Sequence, residues 1–253
     1  NIQKMGGIWR YIPLTYVIMW IGSLALAGIP FFSGFYSKDI IIAIDWVSDL
    51  PGSKLAFLSA VVSALLTAFY SWRLLLLTFH GTPKANDAVM SHIHESPSIM
   101  LGPLYLLTIG TLFSGYLLED LFVGEHATFW GSAIFVLPQD EAINSTYYVN
   151  WGVKWCPTFA ALIGIGIAYL FYTVAKTWPQ TLVHTFRRTH NFLCQKWYFD
   201  DLYDYLFVAP SLRLAKFLWK EGDQEMIDGL GPNGLAALSL TGGHLLCRLQ
   251  TGY

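Results

Sequence analysis

Gly28-Ile29-Pro30-Phe31-Phe32-Ser33-Gly34-Phe35-Tyr36-Ser37-Lys38-Asp39 is the stretch whose reading decides the fold. It closes an uncharged run of 27 residues, Tyr11 to Ser37. As a single helix that run would measure about 40 Å, whereas the hydrocarbon core of a bilayer is about 30 Å thick. The run is too long for one upright span, so it must bend or break. Pro30 lacks an N–H and crowds the carbonyl one turn earlier, and Gly28 and Gly34 loosen the backbone on either side. These residues place a break around Ile29 to Gly34, after which the apolar pattern resumes as Phe35, Ile40, Ile41, Ile42, Ile44, Trp46 and Val47. The expected product is two half-helices, with Lys38 in the first turn or two of the second and Asp39 beside it.

A lysine at the centre of a bilayer costs about 2.5 to 3.5 kcal/mol and is tolerated where it faces protein or water. Lys38 next to a helix break therefore points to ion handling. The plainer reading is that Ile12 to Ile29 spans the membrane alone and Lys38 snorkels at the interface. Both readings stand on the residues alone.

Composition sets the class. With 54% hydrophobic residues, 13% charged, a mean hydropathy of +0.45 and 10 Trp among 253 residues, the chain is expected to be an all-α integral membrane protein with aromatic anchors at the interfaces. A net charge of −2 supplies no basic field for nucleic acid. Cys156, Cys194 and Cys247 are widely spaced and do not suggest an iron–sulfur cluster or a zinc site.

Further spans follow from the apolar runs at about 55–79, 97–118 and 157–175, giving four crossings with the broken segment 12–47 counted as the first. The apolar stretch Phe129 to Leu137 is too short to cross as a helix and is expected on or in an interface. From Leu117 to Asn150 there is no Lys or Arg, which places that loop outside. Lys4 and Arg10, together with Lys176, Arg187, Arg188 and Lys196, place both ends of the four-crossing unit inside. Residues 1–178 read as the transmembrane part and 179–253 as an inner-side connector. The second part ends in a long amphipathic lateral segment carrying Leu202, Leu206, Leu214, Phe217 and Leu218 among charges. Pro210, Gly229, Gly231 and Pro232 predict at least one interruption in it.

Some local patterns carry little. Gly229 to Gly234 matches G-x-G-x-x-G, yet a polar stretch precedes it and Pro232 removes a phosphate-facing N–H. Asp87, His92, His94 and Glu95 could ligate a metal, and scattered polar loop residues explain them equally well. Asn144-Ser145-Thr146 is a formal glycosylation sequon with no other support. Arg73 lies six residues before Phe79, about 9 Å along the helix. Snorkelling to the inner surface and pairing with a carboxylate or a carbonyl of a neighbouring helix both remain open for it.

Several blocks taken together resemble subunit 5 of respiratory complex I, a member of the antiporter-like subunit family. They are Asn1-Ile2-Gln3-Lys4-Met5-Gly6-Gly7, the Gly28 to Asp39 block, Arg73 within Tyr70 to Phe79, Trp197-Tyr198-Phe199-Asp200-Asp201-Leu202-Tyr203-Asp204, and Leu249-Gln250-Thr251-Gly252-Tyr253. The resemblance runs nearly end to end. The outer loop, with Phe129-Trp130 and Phe135-Val136-Leu137-Pro138, is similar to the mitochondrial version, and the ending to the alphaproteobacterial form. The resemblance implies a subunit of the proton-pumping NADH:ubiquinone oxidoreductase in the mitochondrial inner membrane, or alternatively in a bacterial plasma membrane.

By the same resemblance Lys38 is a proton relay tuned by Asp39, Pro30 and Gly34 make the helix break, and about Asp201 to Leu249 is a lateral helix that braces neighbouring antiporter-like subunits. FMN, iron–sulfur clusters and quinone are expected in other subunits, with no cofactor in this chain. The implied partners are membrane-arm subunits, membrane lipids and a separate polypeptide carrying the first half of subunit 5, because the glutamate–lysine pair and central histidines of that half are absent here. A split subunit and a fragment are equally compatible with this. A cation/proton antiporter of the Mrp type, a membrane hydrogenase subunit, and a purely structural scaffold of the membrane arm remain as alternatives.

Overall fold

The computed structural model describes residues 2–123, 128–131, 133, 145–146, 148–250 and 252. The described residues are helical or irregular, with no strand among them. The expectation for Phe129 to Leu137 falls largely outside them, as does Asn144 of the sequon. The chain divides into two units, residues 1–180 and 181–253.

The first unit is built from α1 (Pro13–Ala27), α2 (Ser33–Val47), α3 (Ser53–Phe79), the single turn α4 (Asp87–Met90), α5 (Ser98–Phe122) and α6 (Trp151–Tyr169). The last continues in wider turns through Leu170–Val174. Among the described residues, three helices are long and apolar enough to cross a membrane: Ser53–Phe79, Ser98–Phe122 and Trp151–Val174. α1 and α2 have 15 residues each, about 22 Å apiece by helical rise, so neither matches the bilayer core alone. Two ends differ from expectation. α5 continues to Phe122, beyond the end expected at residue 118, and takes in Glu119 and Asp120. α6 starts at Trp151, ahead of the 157 expected, because the side chain of Asn150 accepts a hydrogen bond from the Gly152 N–H at 3.2 Å and caps its first turn. Lys154 is thereby inside the helix.

Small residues hold this unit together. Lipid tails are as apolar as leucine, so helices in a bilayer associate through close packing. Ala68 of α3 and Ala161 and Ala168 of α6 are fully buried, and a methyl group on Gly164 would lie 2.3 Å from the Leu65 carbonyl oxygen and 3.2 Å from Ala68 Cβ. A methyl on Gly115 of α5 would meet Tyr36 at 2.5 Å and Ser33 Cα at 2.7 Å on α2. Where the start of α1 meets the end of α3, Tyr16, Trp20, Trp72, Phe79 and His80 interlock, with Trp20 edge-on to Trp72 at 5.4 Å between centroids and Tyr16 Oη 3.0 Å from His80 Nε2.

The start of α1 is capped from far along the chain. Ile12 supplies no side-chain cap. Glu95 instead accepts hydrogen bonds from the Leu14 N–H at 2.8 Å, the Thr15 N–H at 3.4 Å and Thr15 Oγ1 at 2.5 Å. A carboxylate at a helix N-terminus satisfies free N–H groups and complements the macrodipole. Burial pushes Glu95 up, but its bonds from the Thr15 hydroxyl and from the Leu14, Thr15 and Ser96 N–H groups outweigh this and hold it below its usual range. Glu95 is thus engaged as a cap. His92 contacts the Ala88 carbonyl oxygen at 2.6 Å and His94 that of Glu95 at 3.0 Å. No three His, Cys, Asp or Glu side chains converge on a metal position among the described residues.

The second unit is a succession of helical segments with no buried residue: Arg187–Cys194, Phe199–Tyr203, wide turns over Asp204–Val208, Ala209–Phe217, further wide turns over Leu218–Leu230, and Pro232–Leu249. Lys196, Trp197 and Tyr198 have left-handed φ of 50°, 58° and 60° and form the bend at which the long C-terminal succession of helical segments begins. The predicted interruption lies at Gly231, whose ψ of −112° leaves the helical range before Pro232 opens the last segment. Pro210 causes none. It stands at the start of Ala209–Phe217, directly after wide turns that give its ring room.

Gly164→Ala should lower the thermal stability of the assembled protein in detergent by about 1 to 3 kcal/mol; an unchanged melting curve would show that α3 and α6 are not closely packed there. The Glu95 cap carries a pH signature. Its folded value is depressed, so its contribution is present above the unfolded carboxylate value of about 4.3 and lost as pH falls through the folded one. The stability gap between the unsubstituted protein and Glu95→Gln, about 1 kcal/mol, should be constant from pH 7 to 5 and close only in stronger acid; a gap already closing near neutrality would contradict the cap.

Candidate functional site

The break between α1 and α2 organises the site. α1 ends at Ala27, and Gly28 takes a left-handed conformation (φ 76°, ψ 36°) that lets its N–H reach the Leu24 and Ala25 carbonyls. The Ile29 N–H also bonds the Leu24 oxygen, at 3.2 Å. This closes most of the open carbonyls at the end of α1 in the manner of a glycine C-cap. Pro30 follows in the connection, Phe31 is left-handed with φ 77°, and Phe32 is extended where α2 begins. Gly34 lies in the first turn of α2, one step past the break. A methyl on it would sit 1.9 Å from the Ala25 carbonyl oxygen, so the first turn of α2 crosses the last turn of α1 at backbone contact.

Lys38 is the sixth residue of α2. Its aliphatic stem covers Gly28, whose added methyl would lie 3.3 Å from Lys38 Cδ, and its Nζ donates a hydrogen bond to the Leu26 carbonyl oxygen. That oxygen belongs to the last turn of α1, where the macrodipole is negative and a cation is favoured. The lysine also lines a cavity of about 200 Å³ with Ile41, Ile42, Ala60, Ser63, Ala64 and Thr67. Ser63 and Thr67 of α3 are the polar residues beside Lys38 in its lining, which is otherwise apolar.

Asp39, the next residue, faces elsewhere, since successive helical positions differ by about 100°. It lines a second cavity, of about 230 Å³, with Phe35, Tyr36, Ile40, Ala43, Glu119, Thr146 and Lys154. Its Oδ2 is buried with no hydrogen-bond partner. A third cavity, of about 340 Å³, adjoins this one along Tyr36, Ile40 and Glu119. α2 thus stands between a lysine-lined space toward α3 and an acidic space toward α5 and α6.

Arg73 is apart from this group. Its Cζ lies 5.9 Å from the centre of the Tyr172 ring, beyond the end of α6, within reach of a cation–π contact, and it makes no salt bridge among the described residues. Sequence reasoning passed over Ser63, Thr67, Glu119 and Lys154. For the last two a signal existed. Glu119 is an anion in the last turn of α5 and Lys154 a cation in the first turn of α6, each at the helix end that disfavours its sign.

Comparison with known proteins covers the whole chain. The family described as "NADH dehydrogenase subunit 5 C-terminus" matches residues 70–253, and "NADH:quinone oxidoreductase/Mrp antiporter, TM" matches residues 1–67. Proteins named NADH-ubiquinone oxidoreductase chain 5 are similar over 100% of this chain in Chondrus crispus at 36% identity, Phytophthora infestans at 34% and Arabidopsis thaliana at 34%. The aligned region is 39%, 39% and 38% of those relatives, so the chain spans about two fifths of the curated proteins it matches.

Gly28→Ala should destabilise the assembled protein by about 1 to 2 kcal/mol, the cost of a left-handed non-glycine residue, with further loss from the methyl's approach to Lys38. Thermal unfolding of the purified assembly measures this, and a variant as stable as the unsubstituted protein would show that the left-handed cap is not required.

Proposed function

This chain belongs to the NADH dehydrogenase subunit 5 family, and on that premise we propose that it is the lysine-bearing part of an antiporter-like, proton-translocating subunit of complex I. In this reading it couples NADH:ubiquinone oxidoreduction to proton movement across the mitochondrial inner membrane. The observation that carries the proposal is the placement of Lys38, an ionisable side chain on a discontinuous helix, against a freed backbone carbonyl and beside a cavity that Ser63 and Thr67 help to line. Discontinuous helices supply backbone groups and room for water at ion sites in transporters, and lysine exchanges protons when its surroundings are partly dry.

α1 and α2 together make one broken crossing, and the whole unit makes four. Lys38 is the proton relay and Asp39 modulates its charge. Arg73 anchors the inner end of α3. FMN, iron–sulfur clusters and quinone fall to other subunits. The first half of subunit 5, on a separate polypeptide or otherwise, completes the path, and lipids cover the apolar outer faces. The lateral helix beyond Asp201 presents Leu202, Leu206, Leu214, Phe217 and Leu218, each roughly half exposed or more. It gains the partner that a wholly exposed amphipathic helix lacks by lying along neighbouring membrane-arm subunits. A Mrp-type antiporter and a hydrogenase subunit are the less supported readings, because the larger family match is to subunit 5.

Lys38→Ala in the assembled complex should lower the protons pumped per NADH oxidised while leaving assembly on a native gel intact. Unchanged coupled pumping would remove Lys38 from the path. Truncation after Asp201 should instead deplete the assembled band. A truncated subunit that still assembles fully would exclude the bracing role.

A further inference from the structure

The acidic cavity on the far side of α2 from Lys38 has no role in what precedes. Three ionisable side chains from three helices line it: Asp39 of α2, Glu119 of α5 and Lys154 of α6. Lys154 acts electrostatically on both carboxyl groups, Lys38 also acts on Asp39, and Asp120 acts on Glu119. Glu119 and Lys154 both occupy the helix ends that their charges disfavour, so neither position is explained by its own helix. Packing is not a sufficient account either. Asp39 Oδ2 is buried and unpartnered, which is costly for a carboxyl group unless water or a proton satisfies it. The space of about 230 Å³ admits several waters, each occupying about 30 Å³ in the liquid. By the charge bias of the loops, this cavity lies at the outer end of the helices.

We propose that Asp39, Glu119 and Lys154 form a hydrated proton-release site where α2 meets the outer ends of α5 and α6, with Glu119 as its terminal carboxylate and Lys154 as a fixed cation. The proposal rests on the relay role of Lys38. The steps balance. The Lys38 ammonium, within electrostatic reach of its neighbour, gives up a proton as the Asp39 carboxylate takes one up, leaving a neutral amine and a neutral acid. Asp39 passes the proton across the cavity to the Glu119 carboxylate and becomes an anion again. Glu119 releases it to water on the outer side and returns to its carboxylate. Lys154 keeps its proton throughout and holds the resting site, two carboxylates beside one ammonium, near charge balance.

The test uses the complete complex in sealed liposomes, with protons pumped per NADH oxidised as the readout and native gels to verify assembly. Glu119→Gln keeps the shape and removes the acceptor, and should slow proton delivery through this subunit by about tenfold or more, the low end for loss of a positioned proton-transfer group. Glu119→Asp should restore it, an outcome that a merely structural role of the side chain does not produce. Lys154→Met is an independent arm. It keeps both carboxylates, removes the fixed cation, and should also slow delivery. Normal pumping in an assembled Glu119→Gln or Lys154→Met variant overturns the proposal. A Lys38→Ala control separates the two ideas: loss of pumping in Lys38→Ala with normal pumping in Glu119→Gln removes the release site alone, whereas normal pumping in Lys38→Ala removes the relay on which it rests.

Discussion

A backbone that breaks at membrane depth must find partners for the groups it frees, because lipid offers none. The connection between α1 and α2 meets this demand in two ways. Left-handed Gly28 folds N–H groups back onto the Leu24 and Ala25 carbonyls, and the Leu26 carbonyl is taken by the ammonium of Lys38. The same contact answers the opposite problem, that of a cation away from bulk water. One interaction therefore occupies a carbonyl at the end of the interrupted helix and gives the Lys38 ammonium an acceptor.

That contact depends on close approach. Gly34 allows α2 to start against the last turn of α1, as Gly115 allows α5 to approach α2 and Gly164 allows α6 to approach α3. Side chains at these positions would move the helices apart, and the reach of Lys38 to the carbonyl would be lost with the crossing. Close packing at the junctions leaves space elsewhere. The cavities lie where Lys38 and Asp39 leave α2 on different sides, so the polar residues of α3, α5 and α6 gather around them. The lateral segment follows the opposite rule. None of its described residues is buried, and its long run of wide turns carries exposed leucines.

Much of the membrane unit was legible in the residues. The length of the Tyr11 to Ser37 run against the thickness of a bilayer, with Pro30 and two glycines near its end, required a break, and the interruption of the lateral segment followed from Gly231-Pro232. The ends of α5 and α6 were less legible, because apolar runs mark where lipid ends and hydrogen bonding decides where a helix ends. Glu119 therefore fell within the expected outer loop and Lys154 just ahead of the expected fourth span, although both are helical. The capping role of Glu95 was not legible for a related reason. As a sequence neighbour of His92 and His94 it suggested a ligand, and only folding brings it to Leu14 and Thr15.

The sequence by itself determined that this chain is a helical membrane protein with a lysine beside a broken helix and an amphipathic tail, since these follow from hydropathy, proline and glycine chemistry, and charge bias along the chain. The tertiary structure alone decided which carbonyl receives Lys38, which carboxylates share a space with Lys154, and that Asp39 and its neighbour face different cavities. Those facts depend on how closely helices distant in sequence approach one another, a quantity set by the mutual fit of small residues and carried by no single stretch of the chain.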